Sequence, residues 1–197
     1  MIDAIGWIAS GVVLSMFVPQ LVRMVASRSS QGVSAATWAL NCVVSLAWLA
    51  YSLRHDITQG IVVNVVIAAG VFAVLAVTFA ETGPWRARTA AAGAALAGAG
   101  AVFYVAPLGV LAVVCLCVSL VADLPQLVAS VRTWRSGTPG AVSLATWALA
   151  CVSAVLWITF GVGAGQWPIV AANAAALANR GGILVLETSA RRRAAAA

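Results

Sequence analysis

The sequence predicts an all-α integral membrane protein with seven spanning helices in a 3+1+3 order, two parallel triple-helix bundles joined by a linker helix. Three observations carry that prediction. Mean hydropathy is +1.03, with 63% hydrophobic and only 8% charged residues, too few charges to cover a 197-residue aqueous surface. Residues 33–52 and 142–161 agree at ten of twenty positions; a chain this rich in Ala and Val would match itself at about two or three by chance. The arginines, finally, fall at alternate ends of the apolar segments.

At about 20 residues per crossing, the candidate spans are 2–25, 35–53, 58–79, 89–106, 107–131, 143–162 and 166–186. The first opens with Asp3, lacks a basic leading region and carries Pro19-Gln20 inside it, so it reads as a span and not as a cleavable leader. The second and sixth begin alike, Ser34-x-x-Thr37-Trp38 and Ser143-x-x-Thr146-Trp147. A hydroxyl there suits a helix N-terminus, and Trp suits the bilayer interface. The fourth is short and mostly Ala and Gly, and Ala94 and Gly98 give it a small-xxx-small face.

The charges require this fourth crossing. With the N-terminus outside, Arg23, Arg28, Arg86, Arg88, Arg132, Arg135 and Arg191 to Arg193 all lie inside, and only Arg54 lies outside. Without it, Arg132 and Arg135 would change sides and the two repeats would be inverted. The predicted domains are a first triple-helix repeat (1–80), a loop and linker helix (81–106), a second repeat (107–187) and an Arg-rich cytoplasmic tail (188–197). The expected setting is the cell membrane, multi-pass, with the C-terminus in the cytoplasm.

Several function classes are excluded. The net charge of +6 is spread over loop ends, as orientation and anionic lipid demand, so no nucleic-acid partner is expected. Cys42, Cys115, Cys117 and Cys151 all fall inside spans, where they read as small packing residues. His55 has no second His to share a metal, and Cys115 and Cys117 point to different helix faces. Asp3, Asp56, Glu81 and Glu187 read as residues of loops or span ends. No paired acids, phosphate loop or Ser/His/Asp grouping emerges, so no enzyme, metal or cofactor is expected.

The repeated residues suggest a pathway. Both copies carry Pro-Gln-Leu-Val, at Pro19-Gln20 and Pro125-Gln126, in matching positions of spans one and five. A proline there frees a backbone carbonyl, giving either a fixed kink or a hinge, and the Gln can bond the loosened backbone or a facing helix. Trp48 and Trp157 lie about 15 Å further along their helices than Trp38 and Trp147. Each is followed sixteen residues later by an Asn, Asn64 and Asn173. An amide in hydrocarbon needs protein or water around it. Two Trp faces and two Asn amides about a pseudo-two-fold axis would form a small pocket, indoles against sugar C–H faces and amides against hydroxyls. Helix packing with extra Trp anchors is the competing explanation.

The Pro-Gln pairs, the Ser-x-x-Thr-Trp blocks and the Trp/Asn pairs together resemble the PQ-loop superfamily, and within it the SWEET and SemiSWEET sugar transporters. The resemblance implies alternating access between two bundles, with Pro19 and Pro125 as hinges and Trp48, Asn64, Trp157 and Asn173 as sugar contacts. Departures are visible. Spans two and six contain no proline, unlike plant-type members, and Asn41 in one copy corresponds to Ala150 in the other, which would make the site asymmetric.

Asp123, two residues before Pro125, and Arg180, seven after Asn173, replace Phe17 and Val71 of the first copy. They are expected to form an intramembrane ion pair, a lock or a gate, since an isolated charge there costs at least about 2.5–3.5 kcal/mol. The expected function is facilitated diffusion of a small polar solute, foremost a sugar. Its rivals are a proton-coupled amino-acid or amine carrier built on Asp123, and a non-transporting receptor or assembly partner. The bilayer and the solute are the expected partners, with homo-oligomerisation left open. The lack of any Lys beside abundant Ala and Arg points to a GC-rich bacterial source.

Overall fold

The computed structural model describes residues 1–27, 35–81, 84–136 and 143–196, with side chains left out between 17 and 39 and at 77, 78, 81, 85 and 196. Ser34 therefore lies outside the described residues, as do the side chains of Pro19, Gln20, Thr37 and Trp38. Seven helices are described: α1 (Ile2–Ser27), α2 (Ala35–Arg54), α3 (Thr58–Glu81), α4 (Trp85–Val105), α5 (Leu108–Ser136), α6 (Leu144–Gly163) and α7 (Trp167–Ala196). Each corresponds to one expected span. α3 to α7 hold apolar stretches long enough to cross a bilayer, and α1 holds a shorter one, Ile2–Met16. Val102, Val105, Val113 and Val185 are more than half exposed, a distribution favourable only against hydrocarbon. The largest departure is the end of α7, which runs on as helix through Arg191, Arg192 and Arg193 where a tail was expected. Ala and Arg are among the strongest helix formers, and no Gly or Pro interrupts them.

The chain divides into two compact units, Val13–Val118 and Met1–Val12 with Ser119–Ala197, so the division runs through α1 and α5. In the first, α2 packs on α3 and α4 packs on both. Their core is Cys42, Val71, Val74 and Leu75, closed over by Leu46, Ile67, Phe79 and Leu96. The linker helix contributes Gly93 against Phe72, Leu96 into the core and Gly100 against Leu46. This i, i+3, i+7 stripe is the contact face, whereas Ala94 and Gly98 are exposed. At about 100° per residue, a shift of one or two positions carries a small residue off the seam.

Arg54 explains its own exception to the charge pattern. It ends α2, and its guanidinium donates to the carbonyl of Ala106, the residue that caps the C-terminus of α4. A cation on the last carbonyls of a helix satisfies an orphan acceptor and opposes the negative end of its dipole. Replacing Arg54 with Gln is expected to cost about 1 kcal/mol and to speed amide exchange around Ala106. Unchanged exchange there would show that the contact is idle.

In the other unit α6 packs along α7. α6 buries Ala150, Ser153, Ala154, Phe160 and Gly161, and α7 buries Ile169, Ala172, Ala176 and Ile183, mostly small residues that let two helices approach. Ile2 of α1 sits directly on Gly163, leaving no room for a side chain there. Ser143 caps α6, its Oγ accepting from the Thr146 amide at 3.3 Å, as the Ser-x-x-Thr spacing predicts.

The turns α2–α3 and α6–α7 repeat one design. Asp56 (φ 53°) and Gly165 (φ 68°) occupy equivalent left-handed positions. The next amide in each, Ile57 and Gln166, closes back on Ser52 at 2.9 Å and on Gly161 at 2.7 Å. The close helix approach uses a glycine on opposite partners. Gly60 of α3 accommodates Ser52 in one copy, while Gly161 of α6 accommodates Ile169 and Val170 in the other. A Cβ on Gly161 would lie 2.9 Å from Val170 Cγ2 and 3.2 Å from the Gln166 carbonyl. Gly161→Ala is therefore expected to destabilise by about 1–3 kcal/mol, read as a lower unfolding midpoint. An unchanged midpoint would mean that the turn relaxes freely.

Candidate functional site

Each unit carries the same aromatic–amide module on its packed helix pair. On α2, Trp48 meets Tyr51 edge-to-face, centroids 5.5 Å apart at 74°. On α6, Trp157 meets Phe160 at 5.5 Å and 85°. The i, i+3 spacing puts both rings on one helix face, and the edge-to-face geometry suits their quadrupoles. On α3, the Asn64 amide donates to the Gly60 carbonyl at 2.8 Å; on α7, the Asn173 amide donates to Ile169 at 2.9 Å. In both, one N–H is spent on the asparagine's own helix, four residues back. The second N–H and the Oδ1 acceptor keep capacity for a ligand hydroxyl. All four side chains are half-buried.

Asn41 and its counterpart Ala150 have different surroundings. Asn41 is exposed, and its carbonyl accepts from Ser45 Oγ at 2.9 Å. At the equivalent position, the Ala150 carbonyl accepts from Arg180 Nη1 at 3.3 Å. Arg180 Nε also donates to Asp123 Oδ2 at 2.9 Å. The side chains of Arg180 and Asp123 are 26% and 15% exposed, so water contributes little screening. One guanidinium thus ties α7 to both α5 and α6.

Pro125 lies inside α5, which continues through it. Its ring removes one amide donor from the middle of a 29-residue helix. Gln126 reaches one turn along α5, where its Nε2 donates to Ser130 Oγ at 3.3 Å. Ser130 in turn donates to Glu187 Oε1 of α7 at 2.8 Å. Near the helix ends, Arg193 lies over the Trp134 ring, 4.7 Å from its centroid.

Glu187 corrects the expectation of a span-end residue. It is 1% exposed, and Ser130 beside it is fully buried. The misreading came from ending the seventh span at 186, a boundary that the helix passes by ten residues. A usable signal was available. Ser130 and Glu187 stand seven residues after Asp123 and Arg180 respectively, so one acid–base match predicts a second polar match two turns on.

Comparison with known proteins agrees with this fold. Residues 1–59 match the profile of a family described as PQ loop repeat. A 3.7 Å structure of a eukaryotic SWEET transporter aligns with a TM-score of 0.78. The alignment covers 97% of this chain and 99% of that one at 13% identity. No curated protein matches the sequence. The chain is PQ-loop-like over its first 59 residues and SWEET-like in fold along its length.

Proposed function

We propose that this seven-helix membrane protein is a transporter that moves a small neutral polar solute, a sugar in the first instance, down its gradient by alternating access. The observation that carries the reading is the duplicated module. Trp48 with Asn64 and Trp157 with Asn173 share spacing, ring geometry and amide bonding although they lie in different units. The recurrence of the module in both repeats supports a role beyond packing. An indole face beside an amide offers stacking for C–H groups and hydrogen bonds for hydroxyls.

In this reading the repeats 1–80 and 107–187 move about the linker 81–106, with Pro19 and Pro125 as hinges beside Gln20 and Gln126. Asn41 adds a polar contact on one side only. Asp123 and Arg180 lock α5 to α7. The likeness of fold to a SWEET transporter supports the substrate class. The arginine distribution supports an N-terminus outside and a C-terminus in the cytoplasm.

The test is uptake of labelled glucose and sucrose into proteoliposomes with no ion gradient. Saturable equilibration that Asn173→Ala abolishes is the expected result. Absence of uptake of either sugar by the intact protein would overturn the sugar assignment.

A further inference from the structure

The α5–α7 seam contains a feature that solute recognition does not use. Asp123 pairs with Arg180, and seven residues further on each helix Ser130 pairs with Glu187. A seven-residue period on both partners is what two parallel helices in steady contact produce. Between the two pairs Gly182 lies against Leu127, its position open to a Cβ only 3.5 Å from Leu127 Cδ1. In the first repeat the equivalent positions hold Phe17 with Val71 and Met24 with Thr78. The acid and its partner are therefore particular to the second copy of the sequence.

The two acids of the seam are not equivalent. The charge of Asp123 is balanced by Arg180 at 2.9 Å. Glu187 accepts a hydrogen bond from Ser130 on Oε1, while its Oε2 is buried with no hydrogen-bond partner among the described residues. Buried polar atoms are almost always satisfied, and an orphan acceptor on a carboxylate is the kind a proton occupies. The charged groups around it can be named. On α7 Arg191 lies one turn on and Arg180 two turns back; on α5 Arg132 and Arg135 are exposed and Asp123 is paired with Arg180. α6 carries no charged side chain, and Met1–Val12 carries only Asp3 besides the chain terminus.

We infer that Glu187 is a proton-binding site, taking a proton on Oε2 from water and returning it to water while α5 and α7 stay joined. The carboxylate becomes a neutral carboxylic acid, and Oε1 keeps the Ser130 hydrogen bond in both forms. Because Ser130 also accepts from Gln126, one residue beyond Pro125, Glu187 is linked through Ser130 to the stretch of α5 that follows the proline. The site rests on α5–α7 geometry alone; its coupling to solute movement rests on the transport reading.

The test is pH-difference infrared spectroscopy of the full-length protein in bilayers. The wild type and Asp123→Asn should show a carbonyl-stretch band of a protonated carboxylic acid, and Glu187→Gln should lose it. Identical spectra for wild type and Glu187→Gln would overturn the assignment. Should Glu187→Gln fail to fold, Ser130→Ala serves instead. It leaves the acid in place and removes its hydrogen bond, so the band should persist with a displaced titration midpoint. An unmoved midpoint, or no band in the wild type, would equally refute the site. Sugar uptake on the same samples separates the two ideas. A Glu187 band without uptake defeats the sugar-transport reading, and uptake without the band defeats the proton site.

Discussion

Asp123→Asn is expected to lower the thermal midpoint of the protein in bilayers sharply, and Arg180→Gln added to it is expected to restore part of the loss. The single change leaves the Arg180 guanidinium three-quarters buried with its charge unbalanced. Removing one partner of a buried pair costs about 3 kcal/mol or more, most of it the penalty on the survivor. The double variant replaces two charges by two neutral amides of similar size. It also gives up the Arg180 hydrogen bond to the Ala150 carbonyl, so recovery is expected to be incomplete. The first copy carries the uncharged residues Phe17 and Val71 at the corresponding sequence positions. A double variant as unstable as Asp123→Asn, or less stable, would mean that the two side chains act independently.

The second large effect is expected at Asn173. Its amide is held by the Ile169 carbonyl, so in the proposed site its geometry would be set before a solute binds. Loss of one hydrogen bond that leaves a solute hydroxyl unpaired in a dry site costs about 1–3 kcal/mol, or roughly a tenfold to hundredfold loss of low-concentration uptake. Asn173→Ala also removes the amide's own bond to α7, but that bond is local and its loss is not expected to unfold the helix. Trp157→Ala should act on the same step, while Trp157→Phe should retain part of it, since an aromatic face remains. Asn64→Ala is expected to impair uptake as well, by an amount that differs from Asn173→Ala because Asn41 stands on its side only. Full uptake by Asn173→Ala, in protein of normal stability, would refute the duplicated site.

Much of the fold was legible because hydrophobic length is a one-dimensional property. Each helix begins within four residues of its expected start, and the weak Ala/Gly segment proved to be a full helix, α4. Details that depend on which face meets a neighbour were not legible. The small residues of α4 allow several equivalent stripes, and Leu46 and Phe72 select Gly93, Leu96 and Gly100 over Ala94 and Gly98. Arg54 read as an exception to an orientation rule, yet it caps a helix more than fifty residues away in sequence.

Composition, the internal repeat and the arginine pattern therefore determined the membrane setting, the seven helices and the residue types available for a pathway, because these follow from local free energies of transfer and from sequence identity between copies. Only the tertiary structure decided that Arg180 also reaches the Ala150 carbonyl, that the linker leans on α2 and α3, and that Glu187 is buried against Ser130. A carboxylate near the end of an apolar run has the same local sequence whether it meets water or another helix. Its environment is fixed by the neighbour that packs over it, here the turn of α5 that follows Pro125.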